Sequence, residues 1–304
     1  MGRTTKLLAT AAAAGTACVA YGTLVERRWY RLRRIVLPRS LRPAGRDPRS
    51  SGRVSVLHLS DLHLIPGQDH RVEFLASLAE LDHDLVVITG DMLGEEGAET
   101  LTADALAPLT ARGQRGLVVL GSNDLFGPTP RSPISYFTQP ERRVHGAVLD
   151  TSRLLDRLAE HGYLTLRNEA TVVSTAAGDI GVGGIDDPHL ATTEIPAAPA
   201  VTPPADADTI VNLGLVHAPY TAALDVLVDA DHDVLLSGHT HGGQVRFPPI
   251  GALVGNCDLP LEQIRGVSRY RGRWLHVSPG LGHSRYAPFR FACRPEATLL
   301  ELIG

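Results

Sequence analysis

Residues 233–245 read Asp-Val-Leu-Leu-Ser-Gly-His-Thr-His-Gly-Gly-Gln-Val and place metal-ligand side chains directly after a buried strand. The apolar run at residues 234–236 predicts a short strand inside a sheet, and Gly238 allows the chain to turn sharply as it leaves. His239 and His241 follow two positions apart, so in extended chain both imidazoles point the same way and can approach one metal ion or two adjacent ions. Because the chain contains thirteen histidines, a purely structural pair is the alternative.

Further predicted strands also end in polar residues of metal-ligand type. Asp61 and His63 follow a predicted strand at residues 54–59, and Asp91 follows one at 85–88. Asn123 follows a strand at 117–120, and His217 follows one at 210–216. Predicted helices at 70–81, 98–111, 152–160 and 220–228 alternate with these strands, which is typical of a largely parallel α/β sheet. Ligand sites in such sheets lie beyond the carboxyl ends of the strands, so the polar residues are expected to converge. Singly, each could be a helix cap, a surface histidine or a turn residue.

Composition and charge favour a folded domain with a basic leader. The 304 residues are 43% hydrophobic, enough for a substantial core and one large domain. The first 53 residues hold twelve of the 29 Lys and Arg but only two of the 33 Asp and Glu, so they carry +10 and the remainder carries -14. An acidic globular part argues against a nucleic-acid partner and for a leader beside a membrane. The three cysteines form neither a disulfide framework nor a Cys-x-x-Cys metal pair.

The leader contains an uncharged run at residues 7–25, long enough to cross a bilayer as a helix. Trp29, Tyr30 and five arginines at residues 27–34 follow it. Small residues would permit cleavage as a secretory signal, but the arginines would hinder export, so we favour an uncleaved single-pass membrane anchor. The same charge bias favours a cytoplasmic location for the domain. We therefore predict a membrane segment at 1–34, a Pro- and Arg-rich linker at 35–53 and a catalytic domain at 54–304.

Two long segments inside the domain have little predicted secondary structure. Residues 126–146 are basic and rich in proline, and their position after an acidic motif suggests a substrate-side loop or cap, with a mobile surface insertion as the alternative. Residues 191–208 are rich in Ala and Pro and are predicted to form an exposed excursion.

The ordered motifs resemble those of the calcineurin-like metallophosphoesterase superfamily. That family has Asp-x-His, Gly-Asp, Gly-Asn-His-Asp/Glu, His and Gly-His-x-His in this order. The matching positions here are Asp61-Leu62-His63, Gly90-Asp91, Gly121-Ser122-Asn123-Asp124, His217 and Gly238-His239-Thr240-His241. The leader and the Gly-Gly-Gln after the last histidine look most like the bacterial membrane-associated branch. The resemblance implies an α/β fold with two packed β-sheets flanked by helices, a four-layer sandwich, rather than a single parallel sheet.

The resemblance also implies two metal ions and assigns a role to each ligand. Asp61, His63 and His241 would hold one ion, Asp91 would bridge, and Asn123, His217 and His239 would hold the other. Carboxylate and imidazole ligands together suit Mn, Fe or Zn. Two such cations lower the pKa of a bridging water, so that hydroxide is available near neutral pH, and they clamp the phosphoryl oxygens during in-line attack.

The third motif departs from the family pattern. Aligned without a gap, Ser122 falls where the family has its metal-binding Asn, and Asn123 falls where it has a catalytic His. We favour Asn123 as the ligand, because an amide oxygen is the better neutral ligand and reaches further than a hydroxyl. His189 or His283 could replace the missing histidine, and His189 is the preferred candidate. Asp124 could orient a ligand from behind.

These observations predict a dinuclear metal-dependent phosphoesterase that hydrolyses a phosphodiester, a pyrophosphate or a phosphomonoester by attack of a metal-bridging hydroxide. Its substrate would be a phosphorylated small molecule or a lipid of the envelope. The altered third motif leaves a second possibility, a catalytically weak or noncatalytic metal-binding scaffold of the same fold. A metal-dependent amidohydrolase would place its His-x-His on the first strand and use a ligating Lys, whereas Lys6 precedes the anchor here.

Overall fold

The computed structural model describes residues 3–38, 53–130, 145–190, 194–205, 207–283 and 285–303. The α-helices in this part of the chain are α1 (Arg3–Ala20), α2 (Asp69–Leu78), α3 (Glu99–Leu106), α4 (Ser122–Leu125), α5 (Thr151–Glu160) and α6 (Thr221–Asp229). The strands are β1 (Arg31–Pro38), β2 (Arg53–Leu59), β3 (Leu85–Thr89), β4 (Arg115–Val119), β5 (Tyr163–Thr165), β6 (Glu169–Thr175), β7 (Gly178–Ile185), β8 (Val211–Val216), β9 (Val234–Ser237), β10 (Arg246–Phe247), β11 (Gly251–Ala252), β12 (Gly266–Tyr270), β13 (Arg273–Val277) and β14 (Glu296–Ile303).

Two six-stranded sheets pack face to face. The first has the order β1-β14-β2-β3-β4-β5 and the second has the order β12-β13-β9-β8-β7-β6. Alternate residues of a strand point to opposite faces, so Val54 and Val56 of β2 enter the core between the sheets together with Leu213 and Leu215 of β8. The pair His58 and His276 joins the sheets within this core by a 2.8 Å hydrogen bond between their Nδ1 atoms.

Helices cover both outer faces, which completes four layers. Leu57 and Leu59 of β2 point outward into a core formed with α2, α3 and α5. Leu235 of β9 packs against Leu224 and Leu227 of α6 on the other side. The predicted α/β sandwich of two sheets flanked by helices is therefore confirmed, and each sheet is mixed rather than wholly parallel.

The chain joins the first sheet earlier than predicted. β1 pairs in parallel with β14, from Arg31 opposite Glu296 to Pro38 opposite Ile303. Within the predicted linker at 35–53, residues 35–38 and Arg53 lie in strands. Residues 39–52 lie outside the described part. The alternating Arg residues of β1 hid a strand, because they resemble the basic flank of a membrane segment.

The segment before β1 is one exposed helix whose end is docked on the domain. Residues Thr4–Arg28 are long and apolar enough to cross a membrane, by length and composition, and little of that stretch is buried in the protein. Beyond α1 the helix continues as a π-helix at Tyr21–Val25 and a 3-10 turn at Glu26–Arg28. Glu26 is buried, and its carboxylate accepts hydrogen bonds from the backbone amides of Ala292 at 2.9 Å and Cys293 at 2.6 Å.

Two predictions about loops are only partly testable. The structure does not describe residues 131–144 of the proposed substrate-side loop at 126–146. It also does not describe residues 191–193 and 206 of the excursion at 191–208. Val201 within that excursion is fully buried, so the prediction of an exposed segment is wrong there. Its side chain packs beside α6 on the outer face of the second sheet.

Candidate metal centre

The carboxyl ends of β2, β3, β8 and β9 meet at one edge of the sandwich and bring six predicted ligands together. Two groups of three have ligand atoms within 4.8 Å of one another: Asp61, His63 and His241, and Asp61, Asp91 and His217. Nε2 of His63 lies 3.3 Å from Nε2 of His241, and Nδ1 of His239 lies 3.3 Å from Nε2 of His217. All six residues are buried except His241, which is partly exposed.

Five of these six residues have left-handed backbone conformations. Their φ angles lie between +42° and +67°, at Asp61, His63, Asp91, His239 and His241. A non-glycine residue in this region costs roughly 1–3 kcal/mol and persists only where surrounding structure holds it. Such residues cluster at functional sites, so the backbone itself marks these loops as functional.

Glycines let the loops approach the carboxylates closely. A Cβ atom on Gly121 would lie 2.2 Å from Oδ1 of Asp91, and one on Gly238 would lie 2.6 Å from Oδ2 of Asp61. No side chain fits at either position without displacing a carboxylate. Gly121 and Gly238 therefore leave the space that the two carboxylates occupy.

Hydrogen bonds on the far side of the imidazoles select which nitrogen faces the centre. Nδ1 of His217 lies 2.6 Å from the carbonyl oxygen of Thr89 and donates its proton there, which leaves Nε2 facing Asp91 at 3.4 Å. Nε2 of His239 contacts the backbone oxygen of Asn256 at 3.1 Å, so its Nδ1 points inward. Such partners orient metal-ligating histidines and fix their tautomers.

The electrostatics suit a cation. Burial lowers the pKa of His63 to about 4 and holds the pKa values of His239 and His241 well below the usual range, so these imidazoles are neutral with lone pairs available. Burial raises the pKa of Asp61 to about 7, while the charge on His217 opposes the rise. Two buried acids beside neutral imidazoles form a donor set that fits divalent transition metals.

Asn123 contacts Asp91 through both its backbone and its side chain. The backbone N–H of Asn123 donates to Oδ1 of Asp91 at 2.8 Å and its side-chain amide donates to Oδ2 at 2.7 Å. The backbone amide of Ser122 interacts with the carboxylate of Asp187. The structure therefore brings Asn123 to the site together with the six acids and histidines.

The two candidates for the missing histidine, His189 and His283, have different contacts. The ring of His189 is 4.3 Å from the ring of His239, centroid to centroid, and its Nδ1 is 3.1 Å from the hydroxyl of Tyr220. Nε2 of His283 contacts the guanidinium of Arg27 at 3.3 Å instead. His189, the preferred candidate for the missing histidine, therefore lies against the predicted ligand His239.

Sequence reasoning missed Asp187 as a site residue. Its carboxyl is buried, accepts a hydrogen bond from the N–H of His189 at 2.9 Å and has its pKa raised to about 6 by burial, against the opposing charge of His217. Its second oxygen, Oδ2, is buried without a hydrogen-bond partner in the described structure. The available signal was its place just after β7, the position that identified the other acids.

Comparison with known proteins decides the family. Residues 54–243 match the model of the calcineurin-like phosphoesterases. The chain belongs to this family. As a metallophosphoesterase it is a hydrolase of phosphoric esters, and the family is metal-dependent.

Individual relatives span bacteria and animals. The metallophosphoesterase YkoQ of Bacillus subtilis is 30% identical over 82% of this chain and 84% of its own. The phosphodiesterase YaeI of Escherichia coli is 34% identical over 49% of this chain and 50% of its own. A bovine transmembrane protein with a metallophosphoesterase domain is 26% identical over 86% of this chain and 55% of its own.

Proposed function

We propose that this metallophosphoesterase uses two divalent ions, Mn, Fe or Zn, to hydrolyse a phosphodiester, a pyrophosphate or a phosphomonoester. The observation that carries the proposal is the convergence of Asp61, Asp91 and four histidines on one buried crevice. A crevice that buries two acids without a cation would be strongly unfavourable, which supports resident metal. The relative YaeI is named a phosphodiesterase, which favours a diester.

The ligands divide into two sets about Asp91. Asp61, His63 and His241 would hold one ion, and Asn123, His217 and His239 the other, with Asp91 shared between them. When bound, the two cations supply positive charge for the phosphoryl oxygens and acidify the attacking water, so no Ser or Cys nucleophile is needed.

The chain's own residues orient the substrate and handle protons. The side-chain amide of Asn123 already lies at Asp91 and is placed to contact a phosphoryl oxygen. We assign to His189 the proton transfer to the leaving group, since it lies beside His239 at the edge of the crevice. The hydroxyl of Tyr220 fixes the orientation of the His189 ring.

The helix at Thr4–Arg28 is proposed as a membrane anchor that is retained in the mature protein. The name of the bovine relative includes a transmembrane part. Arginines at residues 27–34 follow the apolar stretch, and by the positive-inside rule they favour the cytoplasmic side for the domain. Substrates would then be phosphorylated small molecules or lipids that meet the enzyme at the membrane surface.

Hydrolysis of bis-p-nitrophenyl phosphate, measured with Mn²⁺, Zn²⁺ and Fe²⁺ in turn, tests the proposal. The full chain should turn over this ester only with metal, and Asp91→Ala should lose both bound metal and turnover. Metal bound at two equivalents without turnover of any ester would instead favour the noncatalytic scaffold, which the Gly121-Ser122-Asn123-Asp124 departure allows. If Asp91→Ala kept the wild-type metal content, Asp91 would not be a ligand shared by the two ions.

A further inference from the structure

A cavity of about 540 Å³ opens beside the metal centre and extends to the end of the anchor helix. His63 lines it at the metal end, and Arg27 and Arg28 line it at the anchor end. Gly94, Pro66 and Pro288 form parts of the wall between them. One continuous space therefore joins a predicted metal ligand to the point where the chain leaves the apolar helix.

The cavity is electropositive. Four arginines line it, at positions 27, 28, 71 and 285, against two acids, Asp69 and Glu73. Arg71 and Arg285 are committed elsewhere, Arg71 to the backbone oxygen of His63 at 3.0 Å and Arg285 to Glu95. Within the described residues, neither Arg27 nor Arg28 forms an ion pair. Arg27 contacts neutral partners, Nε2 of His283 and the backbone oxygen of Thr23. Both positive charges can therefore meet an anion, and a phosphate fits the donor geometry of a guanidinium group.

The end of the apolar helix packs against the loop beside the metal centre. Arg290 donates its backbone N–H to the oxygen of Gly22 at 3.2 Å and also contacts Nδ1 of His241 at 3.3 Å through its guanidinium. A Cβ atom on Gly22 would lie 2.3 Å from the ring of Phe289, so helix and loop are in close contact. The anchor is thus packed on the loop that supports the metal centre.

An apolar surface lies beside the end of the helix. The ring of Phe291 contacts Tyr21 of the helix at 6.3 Å and Phe247 of the β10–β11 hairpin at 6.5 Å, centroid to centroid. Ile250 at the hairpin tip is 75% exposed, and Leu253 just beyond it is 49% exposed. Exposed apolar side chains contiguous with a membrane helix are suited to burial in the bilayer interface.

We propose that the substrate is a membrane lipid whose head group carries a second phosphate, bound by Arg27 and Arg28 while the terminal phosphate lies at the metal centre. This inference rests on the proposed function. A lipid with a single phosphate at the metal centre would offer no second anion to the two arginines that line the same cavity, whereas a diphosphate would. Water adds to the terminal phosphorus, the anhydride P–O bond breaks, and the lipid leaves as its monophosphate after its bridging oxygen takes up one proton from the water.

Full-length enzyme in phosphatidylcholine vesicles, assayed for phosphate release, tests the proposal. Diacylglycerol diphosphate in the vesicles is the lipid probe, and ADP in solution offers the same diphosphate without a membrane. Each rate is divided by the rate on bis-p-nitrophenyl phosphate. We expect the lipid to be preferred over ADP, and Arg28→Ala to lower this normalised lipid activity about tenfold, the loss of one charge-assisted contact.

Arg34→Ala is the matched control, because it removes an exposed arginine of the same basic segment that does not line the cavity. It should leave the normalised lipid activity unchanged. Ile250→Ser should lower activity on vesicles, whereas Leu164→Ser, an exposed apolar residue on the edge strand β5, should not.

This inference would be overturned if Arg28→Ala and Arg34→Ala lost normalised lipid activity equally, or if ADP and the lipid were turned over equally. The proposed phosphoesterase activity would still stand. Absence of metal-dependent turnover of bis-p-nitrophenyl phosphate by the wild-type chain would instead remove the proposed function itself.

Discussion

The carboxylate of Asp124 holds the backbone of Asp91 from behind, accepting the Asp91 N–H at 2.8 Å on Oδ2. Its Oδ1 accepts the N–H groups of Met92 at 2.7 Å and Leu93 at 3.1 Å. Oδ2 also accepts the N–H of Gly121 at 2.9 Å. One acid therefore fixes the loop after β3 and the turn after β4 to each other.

Asp124→Asn should weaken metal binding without removing a ligand. The amide nitrogen of Asn would face backbone N–H groups that need an acceptor, which costs about 1–3 kcal/mol for each unsatisfied donor. Loss of such a supporting contact lowers metal affinity by about 10–100-fold. Titration calorimetry with Mn²⁺ measures this affinity in the variant and in the wild type. Asp156→Asn, on the exposed face of α5, is the control and should bind as the wild type does.

Asn123→Ala should lower kcat/KM and metal content far more than Ser122→Ala. The side chain of Asn123 contacts Oδ2 of Asp91 at 2.7 Å. The interaction of Ser122 with Asp187 runs through the backbone, which Ser122→Ala retains. Steady-state kinetics on bis-p-nitrophenyl phosphate and elemental analysis of the purified variants give the ranking. The opposite order would make the Ser122 hydroxyl the ligand.

Chelation should destabilise the protein. Without metal, Asp61 and Asp91 lie buried together, and the nearby charge of Asp91 helps to raise the pKa of Asp61. Ions that bind only the folded state stabilise it by about 2.7 kcal/mol per site at one hundred times the Kd. Calorimetric unfolding with EDTA and then with excess Mn²⁺ or Zn²⁺ should show a lower Tm in EDTA. An unchanged Tm would argue against a resident metal.

The metal-free protein should lose stability in mild acid, and the buried pair His58 and His276 should contribute to this loss. Burial lowers the pKa of His276 to about 3 and that of His58 well below its usual range. In the unfolded chain each of these histidines binds a proton as the pH falls below about 6.5, whereas in the folded chain it does not. The free energy of unfolding therefore falls as the pH drops below about 6.5, by up to about 1.4 kcal/mol per pH unit for each histidine.

Urea unfolding in EDTA at pH 7.5 and pH 5.5 measures how the free energy of unfolding depends on pH. His276→Asn should be less stable at pH 7.5, because it loses the 2.8 Å contact with His58, and should have a shallower pH dependence. A variant with the wild-type slope would assign the acid sensitivity to other groups.

Much of the metal centre was predictable because it depends on local patterns. The apolar runs before Asp61, Asp91, His217 and His239 are short and buried, and the chain order of strands and helices brings their ends to one edge. The division into two sheets was not predictable from periodicity, because strand spacing does not say which strands pair. It came from the resemblance of the motifs.

Features that depend on distant contacts escaped prediction. β1 is a strand because β14, more than 250 residues away, offers it an edge, and its arginines gave no apolar signal. Asp187 reads as an ordinary turn residue until the fold brings it beside His217. The docking of Glu26 on the amides of Ala292 and Cys293 is likewise visible only in three dimensions.

The docked end of the first helix also decides where a shortened version of the enzyme can begin. A chain starting at residue 54, where the family match begins, would lack β1 and Glu26, leaving one edge of β14 unpaired and two loop amides without their acceptor. A start at Tyr21 discards α1 and keeps all of these contacts. Truncation for crystallisation should therefore follow the sheet rather than the boundary of sequence similarity.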